Sequence, residues 1–209
     1  HPTGEIGSHL LITEAVRGNG AILVNHEGVR FANEMLTRDK LSEAILTQTG
    51  KSAFLIFDQS VRESLAAIEN YSQQGLLTTA SSTSELAQAL KLPVSSFVET
   101  MNKYQEYQTT GEDLEFGRNG YEMPHPLTHA PFYAIEVEPV LHHTMGGIKI
   151  NSKAEVVNKS GNPVPGLYAA GEVTGGVHGG NRLGGNAIAD IIVFGQIAGT
   201  SAVNYINLQ

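Results

Sequence analysis

Residues 166–192, GLYAAGEVTGGVHGGNRLGGNAIADII, constrain the fold more than any other stretch of this chain. They hold eight glycines, with Glu172, His178 and Arg182 set among them. LYAAGE predicts a short buried strand that closes on a glycine turn. From Asn186 onward the spacing of Ala187, Ile188, Ile191, Ile192, Phe194 and Ile197 predicts a buried helix. Strand, long glycine loop and helix start, in that order, let a large ligand lie close to the backbone with helix amides facing an electron-rich group. The glycines match the spacing of neither a dinucleotide fingerprint nor a P-loop. Spacing alone therefore defines a ligand-binding loop and no more.

The rest of the composition narrows the class. The 209 residues suffice for one large domain or two small ones, and 41% hydrophobic content is enough to bury a core. Thirteen basic against 21 acidic residues give a net charge of −8, which argues against a nucleic-acid partner. It leaves anionic small substrates open, because a site needs only local positive charge. With no cysteine, disulfides and thiolate nucleophiles are excluded within these residues. No apolar run approaches the ~20 residues of a membrane span, and no signal peptide is visible. The opening HPTG lacks an initiator methionine, so a piece of a longer chain is expected.

In chain order, residues 9–17 predict a short helix or strand and residues 18–20 a turn. Residues 21–25 and 29–33 alternate around Gly28 and predict a hairpin. Residues 37–50 predict a helix capped by Asp39 and ended by Gly50. Residues 52–58 predict a buried strand, and 59–71 one amphipathic helix with Val61, Leu65 and Ile68 inward. Ser82 and Glu85 fit a capping box. Pro93 opens a further helix with Val94, Phe97, Val98, Met101 and Tyr104 on its core face. Residues 108–130 predict a polar surface loop, 132–139 a strand, 142–150 a glycine turn into another strand, and 151–165 an exposed hairpin tip. Residues 21–130 thus have α+β character, and the change to glycine-rich sequence near residue 140 marks a domain boundary.

The charged residues that stand out are His1, Glu14, Arg17, Arg38, His142, His143, Glu172 and Arg182. Each has an ordinary alternative. Glu14 and Arg17 sit three apart, the spacing of a helical salt pair. Arg38 beside Asp39 suits a surface ion pair. The two histidines at 142 and 143 point to opposite faces of an extended segment, without a third ligand at zinc spacing. No metal site is expected.

Taken together, HPT at 1–3, LITEAVRGNGAILVN at 11–25, TRDK at 37–40, HHTMGG at 142–147 and GLYAAGEVTGGVHGGNRLGGNAI at 166–188 resemble the soluble flavoprotein fumarate reductases. That family includes the flavocytochrome c type of anaerobically respiring bacteria and its urocanate- and acrylate-reducing relatives. Succinate dehydrogenase flavoprotein subunits are more distantly similar. The resemblance implies an α+β capping (clamp) domain, residues 1–141, followed by the C-terminal segment of an α/β FAD-binding domain, residues 142–209. The family's N-terminal FAD-binding segment, with its G-x-G-x-x-G, has no counterpart among these 209 residues.

The resemblance implies an FAD-dependent oxidoreductase acting on a CH–CH group, within anaerobic respiration and electron transport. Flavin N5 gives a hydride to one alkene carbon of fumarate, and Arg38 protonates the other to form succinate. Arginine is a weak acid, but a developing carbanion is a far stronger base. A dry site beside other cations would ease the proton's release. By the same resemblance Glu14 and Arg17 reload Arg38. His1, Thr13, Glu14, His142, Arg182 and the Gly185 backbone hold the dicarboxylate, and His143, Glu172, Ala187 and Ile188 contact the flavin. Implied partners are fumarate or succinate, the N-terminal FAD-binding segment, and an electron-donor module carrying haem, flavin or quinol. Two alternatives stay open: a reductase of another 2-enoate (urocanate, acrylate or an aryl-acrylate), or an isolated piece without activity of its own. The compartment, periplasm or cytoplasm, follows the electron donor.

Overall fold

The computed structural model describes residues 10–141 and 143–208. The chain forms two compact units, one ending at Val140 and the other running from Leu141 to Gln209.

In the N-terminal unit, a single helical turn α1 (Ala15–Gly18) leads into β1 (Ile22–Val24). Then come α2 (Arg38–Leu46), β2 (Ala53–Asp58), α3 (Gln59–Ser64), α4 (Ala67–Gln73), β3 (Thr78–Ala80), α5 (Thr83–Ala89), α6 (Val94–Thr110) and β4 (Phe132–Val137). The four strands make one antiparallel sheet in the order β1-β2-β4-β3. Every residue of β2 is buried, as expected of a continuous apolar run at the centre of a sheet. Phe57 and Tyr133 face each other across β2 and β4 and stack with ring centroids 5.5 Å apart. Against the sheet pack Val61, Ile68, Leu86, Phe97 and Tyr104, all fully buried. Each is worth about 1.5–3 kcal/mol of hydrophobic burial.

Several elements differ from the sequence expectation. Of the stretch 9–17, the described residues 10–17 contribute only to α1. The hairpin at 21–33 reduces to one bridge, Val24 to Arg30, and β1 pairs with β2 instead. The turn itself is as expected: the Asn25 side chain accepts from the Glu27 and Val29 amides, and Gly28 takes φ +79° against the Phe97 backbone. The return strand fails because Arg30 and Glu34 turn inward to an ion cluster. Helix α2 stops at Leu46, with Gly50 in a separate 3-10 turn. Thr37 occupies the cap position and Asp39 the first turn. Residues 59–71 break into α3 and α4 because Leu65 is extended (φ −142°, ψ 104°). Val61 and Ile68 still point inward. The Ser82 hydroxyl caps α5 by accepting from the Glu85 amide, while the Glu85 carboxylate accepts from Ser81.

The largest correction concerns residues 108–130. Their polarity predicts a surface loop, yet Asp113, Arg118, Met123 and Leu127 are buried. Polar side chains enter the interior when they bond one another. Here Arg118 donates to the carbonyls of Arg17 (2.8 Å), Ala21 (3.1 Å) and Glu122 (3.0 Å) and to Glu34 Oε2 (3.1 Å). Arg30 donates twice to Glu34 (2.9 and 2.8 Å) and once to Asp113 (2.9 Å). Burial works against Arg30's charge, but the two carboxylates outweigh it and hold Arg30 above its ordinary pKa. Beside them, burial pushes the Tyr104 phenol up to about 12.

The C-terminal unit holds β5 (Ile148–Lys149), β6 (Glu155–Val157), β7 (Pro163–Tyr168), β8 (Thr174–Gly175) and α7 (Asn186–Asn207). Strands β6 and β7 form the hairpin expected around residues 151–165, and β5 pairs parallel with β8. LYAAGE is not a buried strand: Leu167 is exposed, and Gly171–Val173 is a 3-10 turn. Helix α7 begins where the periodicity places it, but Ile188, Ile191, Ile192, Val193, Val203 and Ile206 are exposed among the described residues. Apolar spacing fixes which side chains share a face, not what lies against it. Helix α7 also corrects the reading that no stretch approaches a membrane span. Its 22 residues, which include an 18-residue stretch of mean hydropathy 1.3, meet that requirement by length and composition. The buried Asp190 within it is hydrogen-bonded to His178 outside it, a tie between the helix and its own protein.

Candidate active site

In the N-terminal unit, Glu14 joins the two arginines singled out from the sequence. Thr13 and Glu14 precede α1, and the turn carries Arg17 back beside Glu14. Arg38 opens α2. Its guanidinium grips Glu14 with both forks, Nε to Oε2 at 2.9 Å and Nη2 to Oε1. Arg17 Nη2 lies 3.6 Å from the same Glu14 Oε2. The result is a continuous line Arg38–Glu14–Arg17. The surface pair Arg38–Asp39 is replaced by Arg38–Glu14. The (i, i+3) pair of Glu14 with Arg17 does form, so the ordinary and the functional readings of that pair coexist.

The two arginines differ electrostatically. Burial pulls Arg17 below its ordinary pKa, and the charges of Arg118 and Arg38 add to that against Glu14 and Glu34. Arg38 is half-exposed, and its hydrogen bonds to Glu14 raise it. The dry, cation-rich setting expected for Arg38 is therefore found at Arg17 instead, because Arg118 lies beneath Arg17. Thr13 offers its amide to the Tyr71 hydroxyl at 3.0 Å and takes the Ala15 amide on its own hydroxyl at 3.3 Å. That pins the segment entering α1.

In the C-terminal unit, Arg182 is buried although its neighbours in the glycine loop are exposed. Its amide meets Met145 Sδ at 3.1 Å, and Nη1 donates to the Leu183 carbonyl at 3.1 Å. Gly185 caps α7 in the left-handed region (φ +81°). The amides of Asn186 and Ile188 turn back to the carbonyls of Leu183 and Gly185, so the Ile188 amide is engaged within the first turn. Glu172 accepts from the Thr144 amide at 3.0 Å, tying the 3-10 turn to the histidine segment. His143 takes the Met145 amide on Nδ1 at 3.2 Å. His1 and His142 lie outside the described residues.

The C-terminal unit suits a large cofactor laid on its backbone. A cleft of about 620 Å³ is lined by Gly146, Gly147, Lys149, Gly175, Gly176 and Phe194. Gly147 and Gly175 allow β5 and β8 to approach closely: a Cβ on Gly147 would sit 2.1 Å from the Val173 carbonyl oxygen. Among the described residues nothing lies within 4 Å of the Cβ position of Gly179, Gly180 or Gly185, so none of them crowds the loop backbone there. Among the described residues no group of three or more His, Asp or Glu side chains is placed to hold a metal.

Sequence reasoning missed two clusters. Arg30 and Glu34 carry a local signal in their four-residue spacing, but Asp113 and Arg118 come from a polar stretch without one. The pair His178–Asp190 spans twelve residues with no periodic signal.

Comparison with known proteins follows the same lines. Residues 1–188 match the model of a family described as FAD binding domain. Over 205 residues the chain is 54% identical to the fumarate reductase (cytochrome) of Shewanella frigidimarina, covering 98% of this chain and 36% of that protein. The NADH:acrylate oxidoreductase of Vibrio harveyi is 41% identical over 207 residues, 96% of this chain and 20% of that protein. A flavocytochrome c3 fumarate reductase in its open conformation is structurally similar, with a TM-score of 0.75, 46% identity, and 98% of this chain matched to 36% of that one. The chain thus spans about a third or less of the length of these relatives.

Proposed function

The chain belongs to the FAD binding domain family, with FAD as its cofactor, and from that premise we propose that it carries the substrate-side part of a reductase of 2-enoates, fumarate first among them. Residues 1–141 act as the capping (clamp) domain, and residues 142–209 as the C-terminal segment of the FAD-binding domain. Bound FAD supplies the hydride for one alkene carbon. Arg38 gives a proton to the other, completing fumarate to succinate. Glu14 and Arg17 restore that proton from solvent. Arg182, with Gly185, Thr13, His1 and His142, holds the carboxylates, and a guanidinium does so with two parallel bonds. Positive charge there stabilises the enolate-like transition state. His143, Glu172, Ala187 and Ile188 line the flavin side.

The observation that carries this reading is the line Arg38–Glu14–Arg17, with its inequality of basicity. Arg17 releases its proton more readily than an ordinary arginine, and Arg38 holds its own more tightly. The order Arg17, Glu14, Arg38 is thus the direction in which the proton is passed to reload Arg38. Arg38 still protonates the substrate, because the carbanion is a stronger base than any guanidine.

The test is a substrate panel on the full-length, flavin-loaded enzyme with reduced viologen as electron donor. Fumarate turnover well above that of acrylate or urocanate is the expected result. The second reading, a reductase of another 2-enoate, draws on the 41% identity to the acrylate oxidoreductase. Acrylate turnover without fumarate turnover would establish it, and no enoate turnover at all would end both.

A further inference from the structure

Three side chains of the C-terminal unit, from separate places in the sequence, stand in one line, and the proposed reaction assigns a role to only one of them, His143. His178 Nε2 lies 3.1 Å from Asp190 Oδ2, and both side chains are almost fully buried. The His178 ring meets the His143 ring edge to face, with centroids 5.5 Å apart and planes at 77°. The Met145 amide donates to His143 Nδ1. A ring nitrogen that accepts a hydrogen bond carries no proton, so neutral His143 keeps its proton on Nε2. Asp190 Oδ1 is buried with no hydrogen-bond partner among the described residues. Burying a carboxylate costs several kcal/mol unless it is compensated. Apart from helix contacts, the visible return on that cost is the fixing of His178.

The geometry points to Asp190 and His178 as positioning residues. Asp190 fixes the tautomer and ring plane of His178, and His178 braces the ring of His143 so that its Nε2–H is presented in one orientation. A carboxylate orienting one histidine is a recurrent device where imidazole geometry matters. The second half of the inference rests on the proposed role of His143 at the flavin. There, a donor held in place stabilises the negative charge that gathers on reduction and raises the flavin potential.

Two experiments separate the halves. The first uses the 209-residue chain without flavin and reads imidazole nitrogen resonances and ring-proton NOEs. The parent should show His143 as a single Nε2–H tautomer with an NOE to His178. Asp190→Asn and His178→Phe should each at least halve the contact NOE to ring 178 and move the His143 nitrogen resonances toward tautomer averaging, while thermal unfolding shows the fold retained. His143 resonances unchanged in both folded variants overturn the bracing. So does a parent chain with no such NOE or with His143 protonated on Nδ1, a result that needs no variant to fold. The second experiment measures the flavin midpoint potential of the full-length, flavin-loaded enzyme. Asp190→Asn should shift it negative by the equivalent of a several-fold loss in the reduction equilibrium constant. An unmoved potential alongside changed His143 resonances supports the bracing and overturns the flavin role of His143.

Discussion

At the scale of single residues, the N-terminal unit is governed by where charge is buried. Asp113 sits among Arg30 and the amides of Glu115, Phe116 and Arg118. Burial alone would raise its pKa, but the Arg30 hydrogen bond and charge, with the two loop amides, outweigh burial and hold it below the ordinary 3.8. A carboxylate depressed in the folded state stabilises that state above its unfolded pKa, and the gain is lost as pH falls through the folded value. Urea midpoints measured down the acid limb should therefore fall more steeply below about pH 4 in the parent than in Asp113→Asn, which starts less stable at neutral pH. Parallel limbs would remove Asp113 from this role. Little of this cluster was legible in the sequence. Arg30 and Glu34 announce themselves by spacing, but Arg118 lies in a stretch whose polarity says surface. Its burial depends on carbonyls of Arg17 and Ala21 about a hundred positions away. By contrast, Arg38, Glu14 and Arg17 were singled out from the sequence, and the structure brings the three together.

At the scale of elements, apolar runs and caps were legible and partners were not. Strand β2, the N-terminus of α6 behind Pro93, the Ser82 cap and the 151–165 hairpin follow from local rules. The choice of β2 over residues 29–33 as the neighbour of β1 is tertiary, as is the break at Leu65, where no glycine or proline interrupts the helical pattern. Close approach of backbones is equally invisible in a string of glycines. The parallel pair of β5 and β8 depends on it, because a Cβ at position 147 would overlap the Val173 carbonyl. Gly147→Ala should thus destabilise the C-terminal unit by about 1–3 kcal/mol or more, the range for forced overpacking. A drop in its thermal midpoint, with the N-terminal unit unchanged, is the expected reading. A neutral outcome would mean that the strand pair can part without cost.

At the scale of the whole molecule, the two units are unequally built. Apolar burial in the N-terminal unit spans β1, β2, β4 and most helices, whereas the buried apolar side chains described beyond residue 140 are Ala154 and Val156. Amide exchange follows local burial. In the 209-residue chain, the β2 and β4 amides should exchange orders of magnitude more slowly than those of α7, and equal protection would show that α7 is covered. The glycine loop that constrains the sequence so strongly lies in this lightly built unit, where exposed backbone and the buried Arg182 suit ligands better than a self-sufficient core. The proposed proton donor of this flavin-dependent enoate reductase is Arg38. The most direct test mixes fumarate with the reduced, full-length, flavin-loaded enzyme and follows flavin reoxidation in a single turnover. Arg38→Ala should bind flavin as the parent does and reoxidise about 10²–10⁴-fold more slowly, the contribution of a positioned general acid. Reoxidation at the parent rate would remove Arg38 from that role.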